Sequence, residues 1–157
     1  MSDNPPQPPK PKFVAAFNFR IEQTGAMIDL AGGIGPVISY GQYYHETNKN
    51  QIWSVYMSPY NETLFIKSEA NQQWLVANGH GQRVTTGNPS WSDENAQWVI
   101  RGGDIRNLNN DTTVSIWSVK YPECVLDLEG GKGPESPILT YKHHGGPNQI
   151  FKLWKRW

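Results

Sequence analysis

The chain has one cysteine, Cys124, so no internal disulfide can form. Small secreted domains commonly hold paired cysteines. A single thiol therefore fits a reducing compartment, and a cytoplasmic location is the expectation. The residues around Cys124 read as a strand, which makes it a buried, inert thiol rather than a nucleophile. Excess charge is also lacking: the 157 residues carry a formal net charge of zero. That argues against nucleic acid as a partner, because phosphate contacts need a basic surplus. No run reaches the apolar length of a membrane span, so membrane insertion is not expected. The amino-terminal residues show no apolar signal-peptide core, although export by a non-secretory route is compatible with that. Without a signal, the triplets Asn61-Glu62-Thr63 and Asn110-Asp111-Thr112 read as chance matches to the glycosylation pattern. Neither His-x-x-x-His nor Cys-x-x-Cys occurs. His143 and His144 are adjacent, and neighbours on a strand point to opposite faces. No metal, no cofactor and no enzymatic chemistry are expected.

Long helix-forming runs are missing too, while glycine (15) and tryptophan (7) are plentiful. This composition suits short strands joined by tight turns. Residues 1–12 form a proline-rich arm, which favours extended polyproline II and reads as a solvated tail. From Phe13 onward short apolar runs recur. They begin with Val14 to Ile21, Met27 to Leu30, Val37 to Tyr40 and Ile52 to Met57. Leu64 to Lys67, Trp74 to Ala77, Arg83 to Thr86 and Trp98 to Arg101 follow. Val114 to Val119, Cys124 to Leu128, Ile138 to Tyr141 and Ile150 to Trp154 complete twelve strand candidates.

One phrase is written twice. Ile28-Asp29-Leu30-Ala31-Gly32-Gly33-Ile34-Gly35-Pro36 matches Leu126-Asp127-Leu128-Glu129-Gly130-Gly131-Lys132-Gly133-Pro134. Each copy leads to a short apolar run, a tyrosine (Tyr40, Tyr141) and then Asn50-Gln51-Ile52-Trp53 or Asn148-Gln149-Ile150-Phe151. A degraded copy lies between them, Leu75-Val76-Ala77-Asn78-Gly79 and then Asn95-Ala96-Gln97-Trp98. Leu30, Ala77 and Leu128 are equivalent and roughly fifty residues apart. A four-stranded unit of this size cannot bury its own apolar face, whereas three around an axis can. A propeller would need about four blades or more. The expectation is an all-β fold, a β-trefoil of three four-stranded repeats (13–57, 58–104 and 105–157) with pseudo-threefold symmetry.

Gln51-Ile52-Trp53 and Gln149-Ile150-Phe151 resemble the Q-x-W signature of ricin-B-type β-trefoil lectins. Leu139 to Gln149, with its aromatic, His, Gly-Gly and Asn-Gln, resembles the last half-repeat of the small fungal members. The resemblance covers residues 13–157. It implies a carbohydrate-binding protein for galactose or N-acetylgalactosamine termini, with glycans on glycoproteins or glycolipids as partners. Three departures stand out. Ala77 takes the Asp position in the middle repeat, where the Gln is also shifted by one place. Phe151 replaces Trp in the last. The first copy is longer between Tyr40 and Asn50, so either His45 or, counted strictly from Tyr40, Tyr43 corresponds to His144.

The chemistry of the residues agrees with a sugar site. A pyranose needs a flat aromatic for its C–H face, which Tyr40 and Tyr141 can supply. Asp29 and Asp127 can each accept two neighbouring hydroxyls, and Asn50 and Asn148 can donate and accept. Gly32, Gly33, Gly130 and Gly131 let the backbone approach a ligand. His45 and His144 are further candidates. Gln51, Gln149 and the following aromatics read as core and turn-satisfying residues. Repeats one and three hold the complete set, so binding is expected to be multivalent, with the middle repeat inactive. The alternative reading is a β-trefoil protease inhibitor that uses exposed loops, such as Tyr56 to Asn61 or Gly102 to Asp111. The aromatic carboxy terminus, Phe151 to Trp157, serves either to close the core or to form a homodimer.

Overall fold

The computed structural model describes residues 9–41, 48–133 and 135–157. Among these, the first unit holds β1 (Lys12–Ile21), β2 (Met27–Leu30), β3 (Val37–Tyr40) and β4 (Trp53–Met57). The second holds β5 (Leu64–Ser68), β6 (Trp74–Val76), β7 (Gln82–Arg83), β8 (Thr85–Gly87) and β9 (Trp98–Arg101). The third holds β10 (Thr113–Ser118), β11 (Cys124–Leu128), β12 (Ile138–Lys142) and β13 (Phe151–Lys155). The run expected from Arg83 to Thr86 is divided at Val84. That residue is 1% exposed and donates its N–H to Ile138 O of the third unit at 3.0 Å, which breaks the local ladder. Residues 1–8 of the arm lie outside the described residues, and Lys12, placed in the arm by composition, already pairs with Met57 in β1.

The pairing closes on itself. β1 pairs with β4, β4 with β5, β5 with β9, β9 with β10, β10 with β13 and β13 with β1, all antiparallel. A closed ring leaves these strands no free edge. Six of the remaining strands form three hairpins, β2–β3, β6–β8 and β11–β12, one from each unit, and the two-residue β7 lies in the connection between β6 and β8. A six-strand barrel with three such hairpins is a β-trefoil, as the repeat spacing predicts.

Apolar alternation explains the core. Phe17, Phe19 and Ile21 of β1 meet Trp53, Ile66, Trp98, Ile116, Phe151 and Leu153 inside the barrel. Asn18, between two phenylalanines, is 9% exposed and donates its Nδ2 to Gln51 O at 2.7 Å, so its burial leaves no orphaned amide. Two tryptophans tie hairpin to barrel through the indole N–H: Trp53 to Ile28 O at 3.0 Å and Trp98 to Leu75 O at 3.1 Å. Phe151 fills the third such place without a bond. Phe151 and Leu153 are 0% and 1% exposed, so the carboxy-terminal aromatics include core members, while Trp157 stands half-exposed.

Candidate functional site

The two intact phrases build two depressions of the same plan. In each, the strand after the barrel entry carries the aspartate, and a short 3₁₀ turn follows at once, Ala31–Gly33 or Glu129–Gly131. Gly32 and Gly130 sit at φ +62° and +60°, the left-handed region where a side chain is strained. The turn folds over the aspartate, and the opposite strand returns with Ile38 facing Asp29 and Leu139 facing Asp127. Two residues on, Tyr40 pairs with Met27 and Tyr141 with Val125, so the two tyrosines hold equivalent places.

The first depression, about 370 Å³, is lined by Asp29, Ala31, Gly32, Ile38, Tyr40, Asn48 and Asn50. The third-unit depression, about 500 Å³, is lined by Asp127, Glu129, Gly130, Leu139, Tyr141, His144, Asn148 and, from the second unit, Gly81. Of the expected site residues, Asp29, Gly32, Tyr40 and Asn50 thus meet in one depression, and Asp127, Gly130, Tyr141, His144 and Asn148 in the other. Gly33 and Gly131 do not themselves line the depressions. A Cβ at Gly33 would stand 3.3 Å from Asn50 Oδ1, and one at Gly131 would collide with the Gln23 amide. Gly33 thus abuts a lining residue, Gly131 packs against Gln23, and both sit in the left-handed region at φ +74° and +62°. His45 and Tyr43 lie outside the described residues.

The aspartates are buried, 5% and 3% exposed, and each is held by the glutamine of its own Q-x-W phrase. Gln51 Nε2 donates to Asp29 Oδ2 at 3.0 Å and to Gly41 O at 2.9 Å. Gln149 Nε2 donates to Asp127 Oδ2 at 2.8 Å and to Lys142 O at 3.1 Å. Its Oε1 accepts from the N–H groups of His144 and Gly145. The glutamines are therefore structural, as their sequence context suggests, yet they also orient the carboxylates. Asn148 spends its Nδ2 on Asp127 Oδ1 (3.2 Å) and Leu128 O (3.1 Å), so toward a ligand it offers Oδ1 as an acceptor and not the amide donor that its type alone suggests. His144 Nδ1 accepts from the Gly146 N–H at 3.0 Å, which puts the ring proton on Nε2, 3.8 Å from Asp127 Oδ2.

Burial holds both carboxyls above the ordinary carboxylate value, and hydrogen bonds from Gln51 and Gln149 pull them part of the way back. Between the ordinary and the raised value, the folded chain binds more protons than the unfolded one. Stability therefore falls as pH rises through that window and stays lower above it. Asp29→Asn removes the charge and keeps an acceptor for Gln51. Its melting temperature at pH 7 is expected to equal or exceed that of the wild type in a thermal melt, and a clear fall would show that the carboxylate stabilises the fold.

The second unit corrects the register. The indole of Trp98 bonds Leu75 O as that of Trp53 bonds Ile28 O, so Val76, not Ala77, stands in the aspartate's place. Ala77 corresponds to Leu30 and Leu128, as the repeat spacing placed it, and all three lie in the core. Trp74 pairs with Gly87, which puts a glycine where the tyrosine belongs. The 3₁₀ turn Glu94–Ala96 ends on Ala96 where the others end on glutamine, and Gln97 turns instead to Trp91 O at 3.1 Å. Val76 and Ala96 pack with Phe65 under Tyr56, Trp74 and Trp91. The Asp–Gln pair has thus been replaced as a pair by two apolar residues. The loops named for the alternative reading meet elsewhere. Arg106 lies 3.5 Å from Glu62 and binds Asp104, beside an opening lined by Met57, Asn61 and Ile105.

No family model and no curated protein sequence matches the chain. Solved structures of β-trefoil lectins do. The Rhizoctonia solani agglutinin is 16% identical with a TM-score of 0.72, over 97% of this chain and 99% of that one. The ricin B-like lectin of Macrolepiota procera, in complex with lactose, is 20% identical with a TM-score of 0.69, over 92% and 98%. The C-half of an earthworm R-type lectin, in complex with GalNAc, is 23% identical with a TM-score of 0.68, over 90% and 98%. At these identities the likeness establishes the fold.

Proposed function

We propose that the chain is a carbohydrate-binding lectin of the ricin-B kind. It holds non-reducing galactose or N-acetylgalactosamine termini in the first and third depressions and performs no chemistry on them. The observation that carries the reading is the paired construction itself. Twice, a buried aspartate fixed by a glutamine lies beneath a tyrosine and beside a left-handed glycine turn. A carboxylate with spare lone pairs accepts two vicinal hydroxyls, and a tyrosine face takes the C–H patch that an axial hydroxyl leaves on a galactose-type ring. The Macrolepiota and earthworm lectins, solved with lactose and GalNAc, share the fold and lend support.

A glycan array on the purified protein tests the class, with galactose-type termini expected. A blank array together with inhibition of a protease would replace this reading with the loop-based inhibitor. Each depression is shallow and buries little area, so each site is weak alone, and two on one chain give avidity on a glycan-bearing surface. Calorimetry with a monovalent galactoside should report two sites per chain, and cell agglutination should be inhibited by the free sugar. A stoichiometry of one would show that only one of the two depressions is open to sugar.

A further inference from the structure

The third-unit depression is not built by the third unit alone. The turn between β6 and β7 of the second unit docks on β12 through Gly81 N–H to Thr140 O (2.7 Å) and Thr140 Oγ1–H to Gly79 O (2.6 Å). His80 bridges Thr140 in parallel register. This places the His80 imidazole against the Tyr141 ring, centroids 4.6 Å apart and planes at 47°, while His144 meets the same tyrosine edge-on at 6.4 Å. Tyr141 is 41% exposed, and His80 is exposed as well. At the first depression the equivalent strand residue, Ser39, is met instead by Glu135 and Ser136 of the third unit.

A single pyranose covers one aromatic ring. At this distance His80 overlaps part of one Tyr141 face and rises from it at 47°, next to Gly81 in the lining, and such an aromatic corner offers a second ring surface to a ligand of two rings. We infer that the third-unit depression is a disaccharide site in which His80, contributed by the second unit, contacts the sugar next to the terminal galactose. This inference rests on the reading of the depression as a sugar site. It also gives the unit that lost its own carboxylate a part in a neighbouring site, and it makes the two sites unequal: the third prefers an extended galactoside, the first does not.

The test uses full-length protein carrying Asp29→Ala, so that only the third site reports. Calorimetry compares methyl β-galactoside with lactose before and after His80→Ala. The expected result is a loss of roughly three- to tenfold for lactose, the scale of one aromatic contact, with little change for the monosaccharide. His80→Phe keeps the ring and should keep the preference. Equal losses on both sugars would show that His80 only positions Tyr141, and an unchanged lactose affinity would show that it touches nothing; either overturns the inference. Binding of neither sugar in the Asp29→Ala background would remove the third site itself. His80 is exposed, so a melting curve matching the background confirms that the fold is intact.

Discussion

Asp29→Ala with Asp127→Ala is expected to abolish agglutination and to leave a folded protein. Each carboxylate is the charged acceptor at the floor of its depression, and a hydrogen bond to a charged group is worth about 1.5–3 kcal/mol, roughly ten- to a hundredfold in affinity. With weak sites on one chain, that loss at both removes the avidity as well. The fold should tolerate the change because neither carboxylate supports it as an ion. Burial raises both above the ordinary value, and each glutamine keeps its backbone carbonyl, Gly41 O or Lys142 O, as an acceptor. Single variants separate the sites. Asp127→Ala should halve the calorimetric stoichiometry and leave the first site's affinity unchanged, and Asp29→Ala should do the converse. A double variant that binds galactosides normally with an unaltered melting curve would refute the site assignment.

Acidification should act as a gentler form of the same change. Protonation of Asp29 and Asp127 removes the charged acceptor, and their raised values bring its onset above the ordinary carboxylate range.

The fold was legible because it is written in period and repetition. Alternating apolar residues mark β1, the repeated phrases mark two of the three hairpins, and their spacing leaves few architectures. The floor of each site was legible for a similar reason: Asp, Gly and Tyr recur at fixed offsets. Contacts between distant segments were not. Nothing in the sequence shows that Gln51 reaches back to Asp29, or Gln149 to Asp127, 22 residues earlier in each case and almost half a repeat away. The spent donors of Asn148 follow from two bonds made across the turn to Asp127 and Leu128. In the second unit the repeat spacing matches Ala77 to Leu30 and Leu128 and so puts Val76 in the aspartate's place; with the aspartate and glutamine gone, the assignment of Ala77 to that place missed this by one residue, and the tryptophan's bond to Leu75 O fixes it. Ile38 and Leu139 could have been found by stepping back two residues from each tyrosine along a strand. His80 could not, since its partner lies in another unit.

That second unit predicts the outcome of an experiment on the third. Gln149 is 0% exposed, and its side chain makes four hydrogen bonds, to Asp127 Oδ2, Lys142 O and the N–H groups of His144 and Gly145. Gln149→Ala removes them all and strands a buried carboxylate with one side-chain donor fewer. His144 and Gly145 are exposed, so water can replace part of what their N–H groups lose. The net cost should be about 3 kcal/mol, most of it from the buried carboxylate left with Asn148 as its side-chain donor. At the equivalent places the second unit carries Val76 and Ala96, packed together and needing no hydrogen bond. Replacing both partners by apolar groups is far less costly than removing one. Asp127→Val with Gln149→Ala should therefore recover much of the loss caused by Gln149→Ala, and it should bind no sugar at the third site. Denaturant unfolding of the wild type, the two single variants and the pair closes the cycle. A strongly non-additive result is expected, with the pair more stable than Gln149→Ala. Additive losses would mean that aspartate and glutamine support the fold independently, and that the apolar pair of the second unit relies on its covering aromatics, Trp74 and Trp91, which the third unit does not supply.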